Sequence, residues 1–335
     1  GSPSLQPFLE AHAGELTADF AMVCDTAMWN RETPAITVGL RSLVANLGDL
    51  ADRARIVELT TDDRPADAVE RLLAASPKVV GLGAYVWNGA WTGAVLELLA
   101  ALAPELPVIL GGPEVVDPDD PPPYAGLARA VVAGEAEEVL PELCRALIAG
   151  ERVPRTVCPP PPDPARLVQP DALYTDEDLA HRTIYVEASR GCPRGCEYCS
   201  SSRVSRVRRL DPERVVAALE RLFARGARRF KLVDRSAHLS LSPPLAALLA
   251  RFARDDAFVH LELNPDRVTD EFVALAARFA PGALQIEAGV QSFDPAVLAR
   301  VGRRQDPDAA EAGLRRLAAE TGAHLHADQI GRAHV

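Results

Sequence analysis

Short apolar runs alternate with longer amphipathic stretches along nearly the whole chain. In the first 150 residues the strand-like runs are 19–24, 54–59, 79–84, 107–110 and 130–132. Apolar positions recur with helical spacing at about 34–50, 66–75, 89–104 and 135–149. Short apolar strands separated by amphipathic helices predict a parallel sheet with helices on both faces, a doubly wound α/β domain of the Rossmann-like or flavodoxin-like kind. Such sheets take ligands beyond the carboxyl ends of their strands, at the switch point.

The pattern breaks at Cys158-Pro-Pro-Pro-Pro-Asp-Pro164, a semi-rigid polyproline stretch. A linker is therefore expected over 151–180. Alternation then resumes, with strands at 183–188, 229–234, 258–263, 283–289 and 323–327. Helices are expected over 211–225, 243–253, 268–279, 294–302 and 307–320, the first announced by Asp211-Pro212. Repeated βα units predict a barrel, with its chemistry on the loops that follow the strands. Residues 1–150 and 181–328 thus form two α/β domains.

The 335 residues suffice for two ordinary domains, and an apolar share of 48% supplies sizeable cores. No apolar run reaches the roughly 18 residues of a membrane span. A net charge of −11 argues against a nucleic-acid surface. Six scattered cysteines fit a reducing cytoplasm better than a disulfide scaffold. The chain begins Gly1-Ser-Pro-Ser without methionine, and its tail 329–335 resembles translated adapter read-through. The last residues are therefore expected to be non-native and the barrel incomplete.

Three of the cysteines change the picture. Cys192, Cys196 and Cys199 are spaced C-x3-C-x2-C on one loop, directly after the run 183–188. Three thiolates so placed can hold three irons of a [4Fe–4S] cluster and leave the fourth iron open to a substrate or cofactor. Structural zinc needs four ligands, and the nearest spare one, His181, lies at the wrong end of the strand. A disulfide would leave one cysteine over, and Cys24, Cys144 and Cys158 are remote from the loop.

With Tyr198 before the last cysteine, the loop resembles the signature of the radical S-adenosylmethionine (radical SAM) superfamily. The resemblance implies that Cys192, Cys196 and Cys199 ligate the cluster, that SAM chelates the open iron, and that Tyr198 lies against its adenine. It further implies reductive cleavage of SAM to methionine and a 5′-deoxyadenosyl radical. Radical SAM cores resemble six-unit partial barrels, and five units are visible here.

The strand-end loops of the first half are 25–30, Tyr85-Val-Trp-Asn88, Gly111-Gly-Pro-Glu114 and Gly134-Glu-Ala-Glu137. In this order, ahead of the cysteine loop, they resemble the cobalamin-binding domain fused to many radical SAM cores. The resemblance implies cofactor contacts from Asp25, Tyr85, Trp87, Asn88, Gly111, Gly112, Gly134 and Glu135. One departure is chemical. Many such domains carry D-x-H-x-x-G, whereas Asp25 is followed by Ala27 in place of histidine and Asn30 in place of glycine. Alanine cannot ligate cobalt, so the lower axial position would lack a histidine. Added bulk at Gly112 is expected to block the cofactor without unfolding the domain.

In the second half the strand-end loops place Asp234, Arg235, Glu262, Gln291 and Ser292 at the barrel mouth, with Arg303 one helix later, as contacts for SAM or substrate. Glu287, facing inward, needs a partner, for which Arg303 is the candidate. Arg203, Arg206, Arg208 and Arg209 read first as a solvated face and second as an anion contact. His324 and His326 alternate on one face of a strand. The function the resemblance implies is cobalamin-dependent radical SAM methylation of an unreactive carbon. Its partners are a small-molecule substrate and an electron donor such as flavodoxin or ferredoxin, with no nucleic acid and no membrane. Radical rearrangement, cyclisation or oxidation without methyl transfer is the alternative chemistry. A non-catalytic cobalamin or redox sensor is the rival class, disfavoured by the open three-cysteine loop.

Overall fold

The structure is a computed structural model and describes residues 38–59, 61, 63–199, 201 and 206–329. The chain divides into two units, Gly1–Leu173 and Tyr174–Val335.

In the first unit, β1 (Val80–Gly83), β2 (Val108–Gly111), β3 (Ala130–Val132) and β4 (Thr156–Val157) form one parallel sheet in that order. Alternate residues of these strands feed two separate cores. Val80, Leu82, Val108, Leu110 and Val131 pack with Val69, Leu72, Val95, Leu96 and Leu99. Those partners lie on α2 (Pro65–Ala74) and α3 (Gly89–Leu102), which follow a short α1 (Val38–Ala45). Ile109 and Val132 instead pack with Leu143 and Leu147 of α4 (Leu140–Ile148). Helices on both faces make the domain doubly wound, as the pattern predicts.

The expected strand 19–24 lies outside the described residues. The expected strand 54–59 is a correction: Val57 and Leu59 are buried, but 54–59 join no ladder among the described residues. Glu58 is also buried, in an ion pair with Arg41 at 2.7 Å. The apolar alternation there marks burial rather than pairing. The stretch 151–180 contributes β4 to the first sheet and carries α5 (Asp176–His181), closed by a capping box between Thr175 and Asp178.

In the second unit β5 (Ile184–Val186), β8 (Arg229–Leu232), β9 (Phe258–Leu263), β10 (Leu284–Gln291) and β11 (His324–Gln329) lie side by side in chain order, all parallel. The crossovers include α6 (Pro212–Ala224), α7 (Ala237–Ser240), α8 (Pro243–Phe252), α9 (Asp270–Ala276), α10 (Pro295–Arg300) and α11 (Pro307–Glu320). The helix starts were legible because Asp-Pro recurs. Asp211, Asp294 and Asp306 each accept backbone N–H bonds as N-caps, with proline next.

The two faces of this sheet differ sharply. Ile184, Val186, Phe230, Leu232, Val259, Leu261, Ile286 and Ala288 are buried on the helix side, where Phe230 stacks on Phe252 of α8 at 5.1 Å. The opposite face carries Tyr185, Lys231, His260, Glu262, Gln285, Glu287 and His326, aligned across the strands by register. An apolar outer face and a polar inner one describe a barrel wall built to enclose polar groups.

Candidate functional site

The cysteine loop leaves the carboxyl end of β5 and is closed at its base by a two-residue antiparallel pairing, β6 (Ser189–Arg190) with β7 (Arg208–Arg209). Of the four arginines that read as a solvated face, Arg208 and Arg209 therefore sit in a strand, and Arg209 donates to the Leu239 carbonyl at 2.6 Å. Arg203 lies outside the described residues.

Arg194, between the first two cysteines, anchors the loop. It is 2% exposed. Its Nε donates to Asn264 Oδ1 at 2.8 Å, its two terminal nitrogens grip the Asp266 carboxylate, and Nη1 also reaches the Arg304 carbonyl. Asn264 in turn donates to Ser236 Oγ. A guanidinium fork suits this fixed, bidentate geometry. Sequence reasoning missed Arg194 because its partners lie about seventy residues away; the one available signal was an arginine inside a metal-ligand spacing.

A second brace comes from the segment after α10. Glu197 N–H donates to the Val301 carbonyl at 3.0 Å. Gly302, at φ +68°, faces the loop so closely that a Cβ there would lie 3.0 Å from the Gly195 carbonyl oxygen. Arg303 Nη1 donates to Cys196 Sγ at 3.4 Å.

Among the described residues Cys192, Cys196 and Cys199 form no disulfide; the middle one is buried and the other two half-buried. Burial pushes the Cys192 thiol up, a backbone bond from Arg194 opposes it, and the neighbouring Cys196 and Cys199 add to the rise. Burial likewise raises the Tyr198 hydroxyl, with the neighbouring Cys196 adding to the rise, although its residue is 53% exposed. Among the described residues no three His, Cys, Asp or Glu side chains converge to cage a single metal ion. In a cluster each thiolate binds a different iron, so convergence on one point is not required. The donor set fits a [4Fe–4S] cluster held at three corners.

The inner wall of the barrel carries a continuous charged network. Lys231, 2% exposed, lies 3.2 Å from Glu262 and 3.4 Å from Glu287. Arg235 bonds the other oxygen of Glu262 at 2.9 Å, and His260 Nε2 lies 3.1 Å from Glu287. Burial alone would raise the Glu287 carboxyl, but His260 and Lys231 outweigh it and hold the group at about 2. Burial keeps the His260 imidazole below its usual range, against the pull of Glu287. The expected Arg303–Glu287 pair is thereby corrected: Glu287 is served by Lys231 and His260, and Arg303 turns to the cysteine loop.

Asp234 is 1% exposed and accepts from Ala188 N–H at 2.9 Å and Ser189 Oγ at 2.5 Å, so its carboxylate ties β8 to the start of the cysteine loop. Gln291 adopts φ +67° beyond a register shift in β10. That left-handed backbone costs a non-glycine residue about 1 kcal/mol and is a frequent mark of functional sites. The Gln291 amide and the Arg303 guanidinium close together over Gly289, where a Cβ would lie 3.3 Å from each. The Ser292 hydroxyl accepts from Asp294 N–H at 3.1 Å and helps turn the chain into α10.

In the first unit, the loop after β1 is closed by its own side chain. Asn88 accepts from Tyr85 N–H at 2.7 Å and donates to the Gly83 carbonyl at 3.1 Å. Tyr85 and Trp87 stack at 4.7 Å and are half-buried, and Val86 between them is 78% exposed. Gly111 ends β2 in register with Gly83. Gly112 has φ +109°, and a Cβ there would lie 2.4 Å from the Ala84 carbonyl oxygen. Bulk at Gly112 would therefore strike the sheet itself, which corrects the expectation that it would spare the fold. Gly134 lies against Pro159, and Glu135 is half-buried beside it. Asp25, Ala27 and Asn30 lie outside the described residues.

Comparison with known proteins agrees with this fold. Residues 26–144 match the B12 binding domain and residues 186–323 the radical SAM superfamily. The ribosomal protein uS12 methylthiotransferase of Desulfosudis oleivorans is 31% identical over 166 residues, covering 47% of this chain and 38% of that protein. The 2-(S-pantetheinyl)-carbapenam-3-carboxylate methyltransferase of Streptantibioticus cattleyicolor is 29% identical over 188 residues, covering 46% and 27%. Against both of these relatives the chain spans well under half of their length. Among solved structures, the radical SAM methyltransferase TsrM of Kitasatospora setae, with cobalamin and a [4Fe–4S] cluster bound, superposes with a TM-score of 0.62 at 18% identity, over 88% of this chain and 66% of that one. The cobalamin-dependent SAM radical enzyme OxsB gives 0.68 at 15% identity, over 96% and 50%. These likenesses are likenesses of fold.

Proposed function

The chain joins a B12-binding domain to a radical SAM domain, and from that premise we propose that it is a cobalamin-dependent radical SAM enzyme that methylates an unreactive carbon of a small molecule. The observation that carries the reading is the three-thiol loop, fixed by Arg194 and Asp266 at the end of a barrel strand whose inner wall is polar. Cys192, Cys196 and Cys199 would hold the cluster, and the loops at Tyr85–Asn88, Gly111–Gly112 and Gly134–Glu135 would face cobalamin. Bound together, these groups supply reductive cleavage of SAM to a 5′-deoxyadenosyl radical and a carrier for the methyl group. The protein's own part is positional. Arg194 fixes the loop, Asp234 ties that loop to the barrel, and Glu262, Gln291 and Arg303 offer charged and amide contacts to SAM. The Lys231–Glu287–His260 network leaves its polar wall to a substrate. An electron donor of the flavodoxin or ferredoxin class would reduce the cluster.

Methyl transfer rather than another radical outcome is favoured by the two methyltransferases among the similar proteins. A methylthiotransferase-type second cluster gains no support from Cys144, which is half-buried and whose thiol burial pushes up, away from thiolate character. The test is anaerobic incubation of iron- and sulfide-loaded protein with cobalamin, SAM carrying a labelled methyl group, and a low-potential reductant. Release of 5′-deoxyadenosine and label in a small-molecule product are expected. A fully loaded protein that never cleaves SAM would overturn the enzyme reading, and cleavage without label transfer would overturn methylation.

A further inference from the structure

We infer that Arg303 sets the reduction potential of the cluster by donating a hydrogen bond to the sulfur of Cys196, an inference that rests on the cluster reading above. Three observations lead there. Arg303 is 8% exposed, so its charge is carried into a site with little solvent to screen it. Nη1 lies 3.4 Å from Cys196 Sγ, and Cys196 is the most buried of the three thiols, at 4%. The remaining guanidinium arms are all fixed. Nη2 donates to the Gly289 carbonyl, Nε donates to Gln305 Oε1 at 3.0 Å, and Gln305 is itself held by the Val290 carbonyl at 2.8 Å. With those arms tied to β10 and to the turn after α10, the last arm has one direction left. Gly302 lets that turn approach the loop, since any side chain there would meet Gly195 and Glu197.

Charge and hydrogen bonds to cluster sulfurs are two of the main determinants of iron–sulfur potentials. A cation and an N–H aimed at a ligand sulfur stabilise the more negative, reduced cluster over the oxidised one, so Arg303 raises the potential. It makes reduction by the physiological donor easier before SAM binds. Arg303 acts here through Cys196 and is a tuning residue, whatever contact it also makes to SAM.

The experiment is a mediated redox titration of the cluster-loaded full chain, followed by electron paramagnetic resonance in the absence of SAM. Omitting SAM separates the sulfur contact from any contact Arg303 makes to that cofactor. Arg303→Gln is expected to shift the midpoint to more negative potential at unchanged iron content. Gln305→Ala, which frees the Nε arm, is expected to give a smaller shift in the same direction, and Arg303→Lys to recover part of the loss. A midpoint identical to wild type in loaded Arg303→Gln overturns the inference. If that variant does not take up a cluster, Gln305→Ala decides by the same criterion. A wild-type chain that takes up no iron instead sinks the cluster reading itself.

Discussion

Lys231 is a cation 2% exposed between two carboxylates, and its value to the fold follows from that arrangement. Removing one partner of a buried pair leaves the others uncompensated, at a cost of about 3 kcal/mol. Lys231→Met should therefore lower the urea-unfolding free energy by that order. Double substitution with Glu287→Gln should recover part of it; a strictly additive loss would refute the coupling. His238 supplies a pH-dependent effect. It packs edge-on against Phe272 at 6.2 Å, neither ring nitrogen has a hydrogen-bond partner among the described residues, and burial, with Arg194 nearby, lowers it to about 4. In the unfolded chain histidine titrates near 6.5. Between those two values the unfolded state binds a proton that the native state refuses, so stability falls as pH falls through this window. From pH 7 to pH 5 the loss assigned to His238 should be about 2 kcal/mol. Replacing it by leucine should remove that increment, which denaturation of both proteins at the two pH values would measure.

The elements were legible where local signals sufficed. β1, β2, β3 and all five parallel strands of the second unit were apolar runs in the sequence, and the Asp-Pro helix starts were visible without any tertiary information. What escaped depends on distant partners. Residues 54–59 have strand-like alternation, but no neighbour among the described residues takes up their ladder, and Glu58 is buried against Arg41. β4 is two residues long and exists because β3 offers it an edge. Arg194 could not be separated from the other arginines until Asp266 was brought to it. Arg194→Met should accordingly leave the cysteines in place and still lower iron uptake, with a loss of about 3 kcal/mol in stability from the stranded Asp266. Normal loading in that variant would show that the loop holds its shape without the clamp. Gly112 makes the complementary case in the first unit. Its positive φ and the nearness of Ala84 mean that Gly112→Ala should cost about 2 kcal/mol or more. The signal is a lowered melting temperature in protein never exposed to cobalamin; a normal melt would refute it.

Each unit of the whole chain carries its own core and its own set of strand-end loops. No helix among the described residues is long and apolar enough to cross a membrane. The chain spans half to two thirds of the solved structures it resembles. The cofactor chemistry, however, is divided between the two units in a way that can be tested at once. The three thiols of the cysteine loop belong to the second unit, and the loops assigned to cobalamin belong to the first. Cys196→Ala should therefore abolish iron uptake, about four per chain in the wild type, and leave one cobalamin bound. Cys144→Ala and Cys158→Ala should alter neither. Because Ala27 stands where many cobalamin-binding domains have histidine, the bound cobalamin should show a base-off absorption spectrum. Imidazole is a good ligand for metals of this class, so Ala27→His should shift that spectrum toward the histidine-ligated form without changing iron content. A Cys196→Ala protein that loses cobalamin together with iron would show that the two units do not bind their cofactors independently. A base-on spectrum in the wild type would show that another group of the chain reaches the lower face.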